Sequence, residues 1–256
     1  MTGAVGVVVP AHDEEELLPA CLAALAAAVT VAAAERPGLR VRIVVAADAC
    51  TDGTIAVARR AGALVVPLTV RNVGMARAAG LAELLRPGTT AWSGPAPGPG
   101  ALWLATTDAD SMVPAHWLSD QLGYADAGWD AVVGTVTVAD WAGHADSTVQ
   151  EFARRYGTWQ DWHPHVHGAN LGFTAAAYQA AGGFPPLRTG EDHALVASVQ
   201  AHGFRLLRSA AVSVVTSARV RYRAPAGFGS DLATLNDGPG SALLGLLDLR
   251  GGAGGV

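Results

Sequence analysis

Two aspartates, Asp108 and Asp110, follow an apolar run and are the clearest candidates for chemistry in the sequence. The run Ala101 to Ala105 has the length of a buried parallel strand, so the aspartates lie where that strand leaves the sheet. In an extended segment, residues i and i+2 point to the same side, and the two carboxylates repel each other unless a cation or ligand lies between them. Mg²⁺ or Mn²⁺ holding a diphosphate would do this, because these cations favour carboxylate and phosphate oxygens. The alternative is a strand-end turn in which Asp110 or Ser111 caps the next helix.

The composition is that of a folded protein and shows no sign of a nucleic-acid partner. The chain has 256 residues, of which 50% are apolar and 15% charged, as expected for one large or two small globular domains. Its formal net charge of −5 gives no indication of the positively charged surface that binds nucleic acid. All 17 basic residues are arginines, which excludes a Walker-type phosphate loop and Schiff-base chemistry by lysine.

The sequence shows no feature typical of export or membrane insertion. Cys21 and Cys50 are too few for a disulfide scaffold, and the N-terminus lacks the basic region of a secretory signal. The longest apolar helical run, Cys21 to Ala34, is short for a bilayer span. We therefore expect a cytoplasmic protein without an integral membrane segment.

Apolar strands and helical segments alternate along the first half of the chain, which predicts an α/β fold with a mostly parallel central sheet and helices on both faces. The predicted strands are Val5–Pro10, Val41–Ala46, Ala63–Pro67, Ala101–Ala105 and Ala131–Val138. The predicted helices run from Asp13, as N-cap, to about Ala34, from Thr54 to Ala61, from about Arg71 to Leu85 and from Pro114 to about Tyr124.

The second half is less regular, and its pattern predicts shorter elements. Helices are expected at Thr148–Trp159, at Thr174–Ala181 and from Arg188 to about His202, and strands at Phe204–Leu207 and Val212–Val215. Carboxylates follow several predicted strands, at Asp13, at Asp48 and at Asp108 with Asp110, and a later loop adds Glu191 and Asp192. In open α/β sheets ligands bind at the carboxyl ends of the strands, so this arrangement predicts one site at that edge.

Six segments in order resemble the family 2 glycosyltransferases, which have the GT-A fold. The segments are Val7–Glu15, Asp48–Thr54, Asn72–Arg77, Thr107–Ser111, Gly168–Gly172 and Gly190–Asp192, within a region from Val5 to Thr216. The resemblance implies a Rossmann-like sheet and an inverting transfer of a sugar from a nucleotide diphosphate donor, with UDP expected, to an acceptor hydroxyl. It also implies Mn²⁺ or Mg²⁺ as cofactor, and a sugar, lipid or small-molecule acceptor that the sequence does not identify.

The same resemblance implies a role for each matching residue. Pro10, Ala11 and Glu14 would line the nucleoside pocket, Asp48 would accept the imide N–H of the base, and Asp108 would lie near the ribose and the cation. Asp110 would coordinate the cation, and Arg77 would help to neutralise phosphate. Asp192 would be the general base that takes the acceptor proton, with Glu191 orienting it or touching the acceptor.

Two departures from the family pattern narrow the expected activity. Ala47 stands where the second-strand motif usually has another acid, and the Q-x-x-R-W signature and transmembrane helices of processive synthases are absent from the sequence. A single sugar transfer is therefore expected rather than polymer synthesis.

We expect one domain over residues 1–224, with a nucleotide-sugar-binding half (1–112) and an acceptor-binding half (113–224), and a partly disordered Gly-rich tail over 225–256. The sequence leaves a homodimer open.

Two alternative functions and the roles of two groups of residues stay open. A nucleotidyltransferase shares the broad fold but would need a Gly-rich loop with a basic residue after the first strand, where His12–Glu16 is acidic. An inactive nucleotide-binding module is the other functional alternative. His163, His165 and His167 alternate and could bind zinc or place His167 beside the substrates, or they could simply pack in a loop. Arg219, Arg221 and Arg223 could close on a diphosphate or form a solvated edge.

Overall fold

The computed structural model describes residues 2–156 and 162–219. The strands are β1 (Ala4–Ala11), β2 (Arg40–Asp48), β3 (Leu64–Leu68), β4 (Leu102–Thr106), β5 (Ser111–Met112), β6 (Ala131–Val138), β7 (Leu171–Thr174) and β8 (Leu206–Thr216). The helices are α1 (Leu18–Glu35), α2 (Thr54–Arg60), α3 (Val73–Leu85), α4 (Trp117–Asp126), α5 (Asp146–Tyr156), α6 (Ala175–Ala180) and α7 (Glu191–Ala201).

The contacts divide the chain into two units. One comprises Met1–Ala139 and Trp159–Ser217, and the other comprises Asp140–Thr158 and Ala218–Val256. In the second unit, Phe152 and Tyr156 of α5 stack at 4.4 Å between ring centroids, and Trp141 packs edge-on against Phe152. The predicted boundary at residue 224, the tail 225–256, Arg221, Arg223 and Trp159 all lie outside the described residues.

The described part of the first unit contains an eight-stranded sheet in the order β3-β2-β1-β4-β7-β6-β8-β5. Neighbours within β3-β2-β1-β4 are parallel, as is the pair β6 and β8, whereas β7 is antiparallel to both β4 and β6. All eight residues of β1 are buried, because a central parallel strand is covered on both faces. The predicted α/β fold is confirmed.

Helices cover both faces of this sheet. Buried residues of α1, α2 and α4 pack on one face, around Val7, Val45 and Trp103. Buried residues of α3, α6 and α7 pack on the other face, around Val8 and Leu104. The side chains of β1 alternate between the two cores, as the period of an extended strand requires.

Helix α1 is the one helix in residues 2–156 and 162–219 that is long and apolar enough to cross a membrane, by length and composition alone. The core helix of a globular domain can pass the same test. Six of its residues, including Leu18, Leu22 and Leu25, are at most 5% exposed and pack against one face of the sheet. One third of the apolar window of α1 is buried inside the domain.

Two local predictions were wrong, and two short strands were not predicted. Helix α1 begins at Leu18 and not after Asp13, which has φ +51° and accepts the Thr51 amide instead of capping a helix. The two strands predicted at 204–207 and 212–215 form one strand, β8, with a register shift against β6 beside Gly134. Strands β5 and β7 were not predicted, because two and four residues are too few to show a strand pattern.

Candidate active site

The carboxyl ends of β2, β1 and β4 lie side by side because these strands are parallel neighbours. We call this region the carboxyl edge and define it as residues Pro10–Glu14, Asp48 and Asp108–Asp110. Pro10 and Ala11 pair with Ala46 and Ala47 of β2, and both are buried. Glu14 is 5% exposed, and its amide donates to Thr54 Oγ1 at 2.7 Å. The predicted nucleoside-pocket residues are therefore brought together at one edge.

The carboxylate of Asp48 is held by the backbone of the segment that leads into α3. It accepts hydrogen bonds from the amides of Val70 and Arg71 at Oδ1 (2.7 and 2.9 Å) and of Asn72 at Oδ2 (2.8 Å), and Asp48 is 5% exposed. Its backbone oxygen also contacts His12 Nδ1 at 2.7 Å. The predicted contact with a base N–H stays a prediction, and in the structure Asp48 holds residues 70–72.

Arg77 is buried between two carboxylates. Its side chain is 4% exposed, and its two terminal nitrogens donate to Glu191 Oε1 and Asp108 Oδ1, each at 2.5 Å. Burial by itself would lower the pKa of Arg77, but the charges of Asp108 and Glu191 outweigh it and the pKa is raised. Arg77, which was predicted to neutralise phosphate, therefore pairs with two carboxylates of the protein in this structure.

Glu191 is the first residue of α7 and is 5% exposed. Burial raises its pKa against the opposing effect of Arg77. A Cβ on Gly74 would come within 2.8 Å of Glu191 Cγ, so only glycine lets α3 approach α7 this closely. Glu191 is therefore a buried partner of Arg77, and its predicted part in orienting the base or touching the acceptor stays a prediction.

Asp192 is partly exposed and follows Glu191 on the first turn of α7. Its Oδ2 accepts the amide of Gly168 at 2.8 Å, and its Oδ1 accepts the amide of His193 at 2.8 Å. A Cβ on Gly168 would come within 2.5 Å of the Arg77 guanidinium, so the loop before β7 packs directly on that ion pair. Asp108, Arg77, Glu191 and Asp192 consequently lie in one connected cluster.

The chemistry of the carboxyl edge fits a hard divalent cation. Asp108 and Asp110 are both partly exposed in the turn after β4, on either side of Ala109, which is 3% exposed. Arg77 is the one cation bonded to Asp108 and Glu191 in the described part of the chain, and Asp110 and Asp192 add further negative charge. Excess carboxylate oxygen at a partly exposed edge is the donor set that Mg²⁺ and Mn²⁺ favour.

A second cluster, Asp13, Cys50 and Asp52, brings three potential ligand atoms within 4.8 Å of one another. Asp13 accepts the amides of Thr51 and Asp52, and Asp52 accepts the amides of Thr54 and Glu15. Hydrogen bonding to Thr51 lowers the pKa of Asp13, and burial raises the pKa of the Cys50 thiol. A protonated thiol beside carboxylates that already hold backbone amides suits Mn²⁺ or Mg²⁺ poorly.

The three alternating histidines form a stack in an extended segment. Ring centroids are 6.1 Å apart for His163 and His165 and 6.0 Å apart for His165 and His167. Within residues 2–156 and 162–219, these histidines are not among the groups whose ligand atoms approach closely enough to share an ion. Burial, then the neighbouring histidines, lower the pKa of His167 to about 3, so it is neutral at physiological pH.

Sequence reasoning gave no side-chain role to Asn72 and Gly74. Asn72 Oδ1 caps α3 by accepting the Met75 amide at 2.9 Å, and Asn72 Nδ2 donates to the Leu187 carbonyl oxygen at 2.8 Å. An asparagine just before a helical run is a recognisable N-cap signal. The contact with Leu187 has no such signal, because it joins residues 115 positions apart.

The sequence model described as glycosyl transferase family 2 matches residues 6–182. No curated protein sequence matches the chain. Among solved structures, S. aureus TarS 1–349 has a TM-score of 0.60 and 14% identity, with 85% of this chain and 61% of that chain covered.

Two further solved structures share the fold. A mannosyltransferase from Pyrobaculum calidifontis, in complex with GDP-Man and Mn²⁺, has a TM-score of 0.59 and 22% identity, with 85% of this chain and 57% of that chain covered. Glucosyl-3-phosphoglycerate synthase from Mycobacterium tuberculosis, in complex with Mn²⁺ and UDP, has a TM-score of 0.53 and 17% identity, with 91% and 76% covered. This chain thus spans about three fifths of the length of the first two.

Proposed function

The chain belongs to glycosyl transferase family 2, and we propose that it moves one sugar from a nucleotide diphosphate donor to an acceptor hydroxyl, with a divalent cation and with inversion. One observation carries this proposal. Asp108 at the end of β4, Arg77 on α3 and Glu191 on α7 form a charged cluster in which Arg77 and Glu191 are buried, and Asp192 follows directly. This cluster supports the proposal because it would hold the proposed cation-binding carboxylates and the candidate base in one arrangement.

The reaction would be a single in-line displacement at the anomeric carbon. The acceptor oxygen forms a bond to that carbon while the bond from the carbon to the diphosphate oxygen breaks, and the nucleoside diphosphate leaves with the electron pair. Asp192 would take the acceptor proton, because its carboxylate is partly exposed at the edge of the cluster. Glu191 would serve this step through Arg77, which fixes the start of α7.

Asp110, with Asp108 beside it, would hold Mn²⁺ or Mg²⁺. When bound, the cation offsets the negative charge that develops on the leaving diphosphate. The charge of Arg77 is already paired with Asp108 and Glu191, so charge neutralisation at the diphosphate would depend on the cation. The solved structures that contain Mn²⁺ support a cation, and they do not decide between Mn²⁺ and Mg²⁺.

The donor is proposed to be UDP-linked and to bind against Pro10, Ala11 and Glu14. UDP in the M. tuberculosis structure supports a uridine donor, and GDP-Man in the P. calidifontis structure makes guanosine the competing choice. Asp48 would shape this pocket by holding residues 70–72, and any base contact would come from the remaining acceptor capacity of its oxygens. A cytoplasmic location is part of this proposal.

A thermal-shift panel tests the proposal directly. UDP-glucose, UDP-galactose, UDP-N-acetylglucosamine and GDP-mannose are each added with and without MnCl₂, because a ligand that binds the folded state raises its stability. We expect a rise in Tm that needs both a UDP-sugar and Mn²⁺. A response to GDP-mannose alone would replace the uridine assignment. No response to any nucleotide sugar would contradict the transferase proposal, and binding without release of UDP would indicate an inactive module.

A further inference from the structure

Asn72 occupies a junction between the carboxyl edge and the loop that leads into α7. Its amide donates to Asp48 Oδ2, its Oδ1 accepts from the Met75 amide, and its Nδ2 donates to the Leu187 oxygen at 2.8 Å. One side chain therefore fixes the start of α3 and, at the same time, a loop more than a hundred residues away.

The loop that Asn72 holds is anchored at Phe184, which is 5% exposed and lies under the Arg77 guanidinium. Between α6 and α7 the backbone is irregular, and Leu187 is 44% exposed. Within the loop, the Phe184 amide donates to Tyr178 Oη at 3.3 Å, and the Leu187 amide donates to the Pro185 oxygen at 2.8 Å. Gly190 then adopts φ +76° immediately before α7. The Asn72 contact thus ties down the middle of a segment that ends at the candidate base.

We propose that Asn72 is a positioning residue that sets the place of Asp192 through the loop Gly182–Gly190, and this inference rests on the proposed function. Two residues, the N-cap of α3 and a residue within α3, contact the segment that leads to Asp192. Asn72 holds Leu187, and Arg77, about one and a half turns further along α3, holds Glu191. Asp192 is the next residue, so a shift of the loop moves the carboxylate that would take the proton.

The substitution Asn72→Asp isolates this contact. Aspartate keeps an oxygen that caps α3, because Asp and Asn are equally good N-caps, but it cannot donate to the Leu187 oxygen. Thr174→Ala is the matched control. Thr174 caps α6 by accepting the Ala177 amide at 3.1 Å, so its removal costs a helix cap and leaves the contact between Asn72 and Leu187 intact.

Two readouts are needed, one of them independent of activity. Hydrogen exchange of the free protein measures the opening of residues 182–190. Release of UDP from the UDP-sugar that gives the largest thermal shift, with MnCl₂ and water as acceptor, measures turnover. We expect Asn72→Asp to exchange faster in this loop and to lower kcat about 5- to 100-fold, with the donor KM changed less than about 2-fold. Thr174→Ala should change neither.

The outcomes separate this inference from the proposed function. Unchanged loop exchange in Asn72→Asp would overturn the inference, and so would faster exchange with normal kcat. A matching rise in donor KM would also overturn it, because that would place Asn72 in donor binding. If the unmodified chain binds no nucleotide sugar, the proposed function fails, and faster exchange in Asn72→Asp would still establish the loop contact.

Discussion

Asp13 and Asp48 at the carboxyl edge are held differently from Glu191 at the start of α7. Asp48 and Asp13 accept backbone amides of loops that neighbouring strands bring alongside, so neutral dipoles compensate their charge. Glu191 is compensated instead by the guanidinium of Arg77 inside the protein. Backbone amides remain when a side chain is replaced, whereas a buried ion pair depends on two distant side chains remaining intact.

This contrast indicates which part of the site is more sensitive to substitution. A carboxylate held by backbone amides can lose its charge and keep its surroundings, because the donors belong to the main chain. A carboxylate held by Arg77 cannot, since the loss of either partner leaves the other charged and buried. We therefore expect the largest effects from Arg77 and the smallest from Asp13.

Replacement of Arg77 by methionine should have the largest effect. Methionine keeps much of the side-chain volume but leaves Glu191 and Asp108 without their cation, and breaking a buried pair costs about 3–5 kcal/mol. Unfolding in urea measures the loss. Arg86→Met is the matched control, because Arg86 pairs with Glu83 on the surface and its loss should change stability far less.

Equal losses for Arg77→Met and Arg86→Met would show that the buried pair contributes no more than a surface pair. A double variant separates the cost of the unpaired charge from the cost of lost packing. Adding Glu191→Gln to Arg77→Met removes the orphaned charge on α7, so the double variant should recover part of the lost stability. No recovery would assign the cost to packing rather than to charge.

The carboxyl edge is predictable from the sequence for a physical reason. Apolar runs such as Val5–Pro10 and Ala101–Ala105 predict buried parallel strands, and parallel neighbours must end at the same edge. The strand pattern by itself therefore places Asp48 and Asp108 at one edge, and the pairing of β1 with β2 and β4 confirms this prediction.

The partners of those residues were not predictable. Whether Arg77 meets phosphate or Glu191 depends on how α7 packs, and the two residues are 114 positions apart. Asp13 was predicted to cap a helix, a local role, but it bonds to Thr51, which β2 brings alongside. Local patterns give element types and strand ends, while long-range packing decides which polar groups satisfy each other.

Asp192→Asn tests the proposed general base, which is the partly exposed acidic residue at the start of α7. Asparagine can still accept the Gly168 amide, so the local structure should persist, but it cannot take a proton. We expect UDP release to slow by roughly 10²-fold or more while Mn²⁺-dependent UDP binding stays within a few-fold of normal. His193→Ala, one residue along α7, should keep most of its activity. Near-normal turnover in Asp192→Asn would place the base elsewhere.

Asp110→Asn tests the proposed cation site on the carboxyl edge. Loss of one carboxylate should weaken Mn²⁺-dependent UDP binding by roughly ten- to a hundred-fold, with folding unaffected because Asp110 is partly exposed. Titration calorimetry of UDP at fixed MnCl₂ measures this change. Asp52→Asn is the control that distinguishes the two acidic clusters, and it should bind UDP normally. The reverse result would move the cation to Asp13, Cys50 and Asp52.

Asp13→Asn should have the smallest effect, visible only as a change in pH dependence. Hydrogen bonding to the Thr51 amide lowers the pKa of Asp13 below its ordinary 3.8, so the folded state binds the proton less tightly than the unfolded chain. The stabilisation is present above pH 3.8 and is lost as the pH falls through the lowered pKa. Because the group is near the surface, it should amount to less than about 1 kcal/mol. Urea unfolding of both proteins at about pH 6 and near pH 3 measures it, and we expect the difference between them to shrink at the lower pH. A difference that grows on acidification would mean that the carboxylate destabilises the loop it contacts, and the contrast with Glu191 would then be lost.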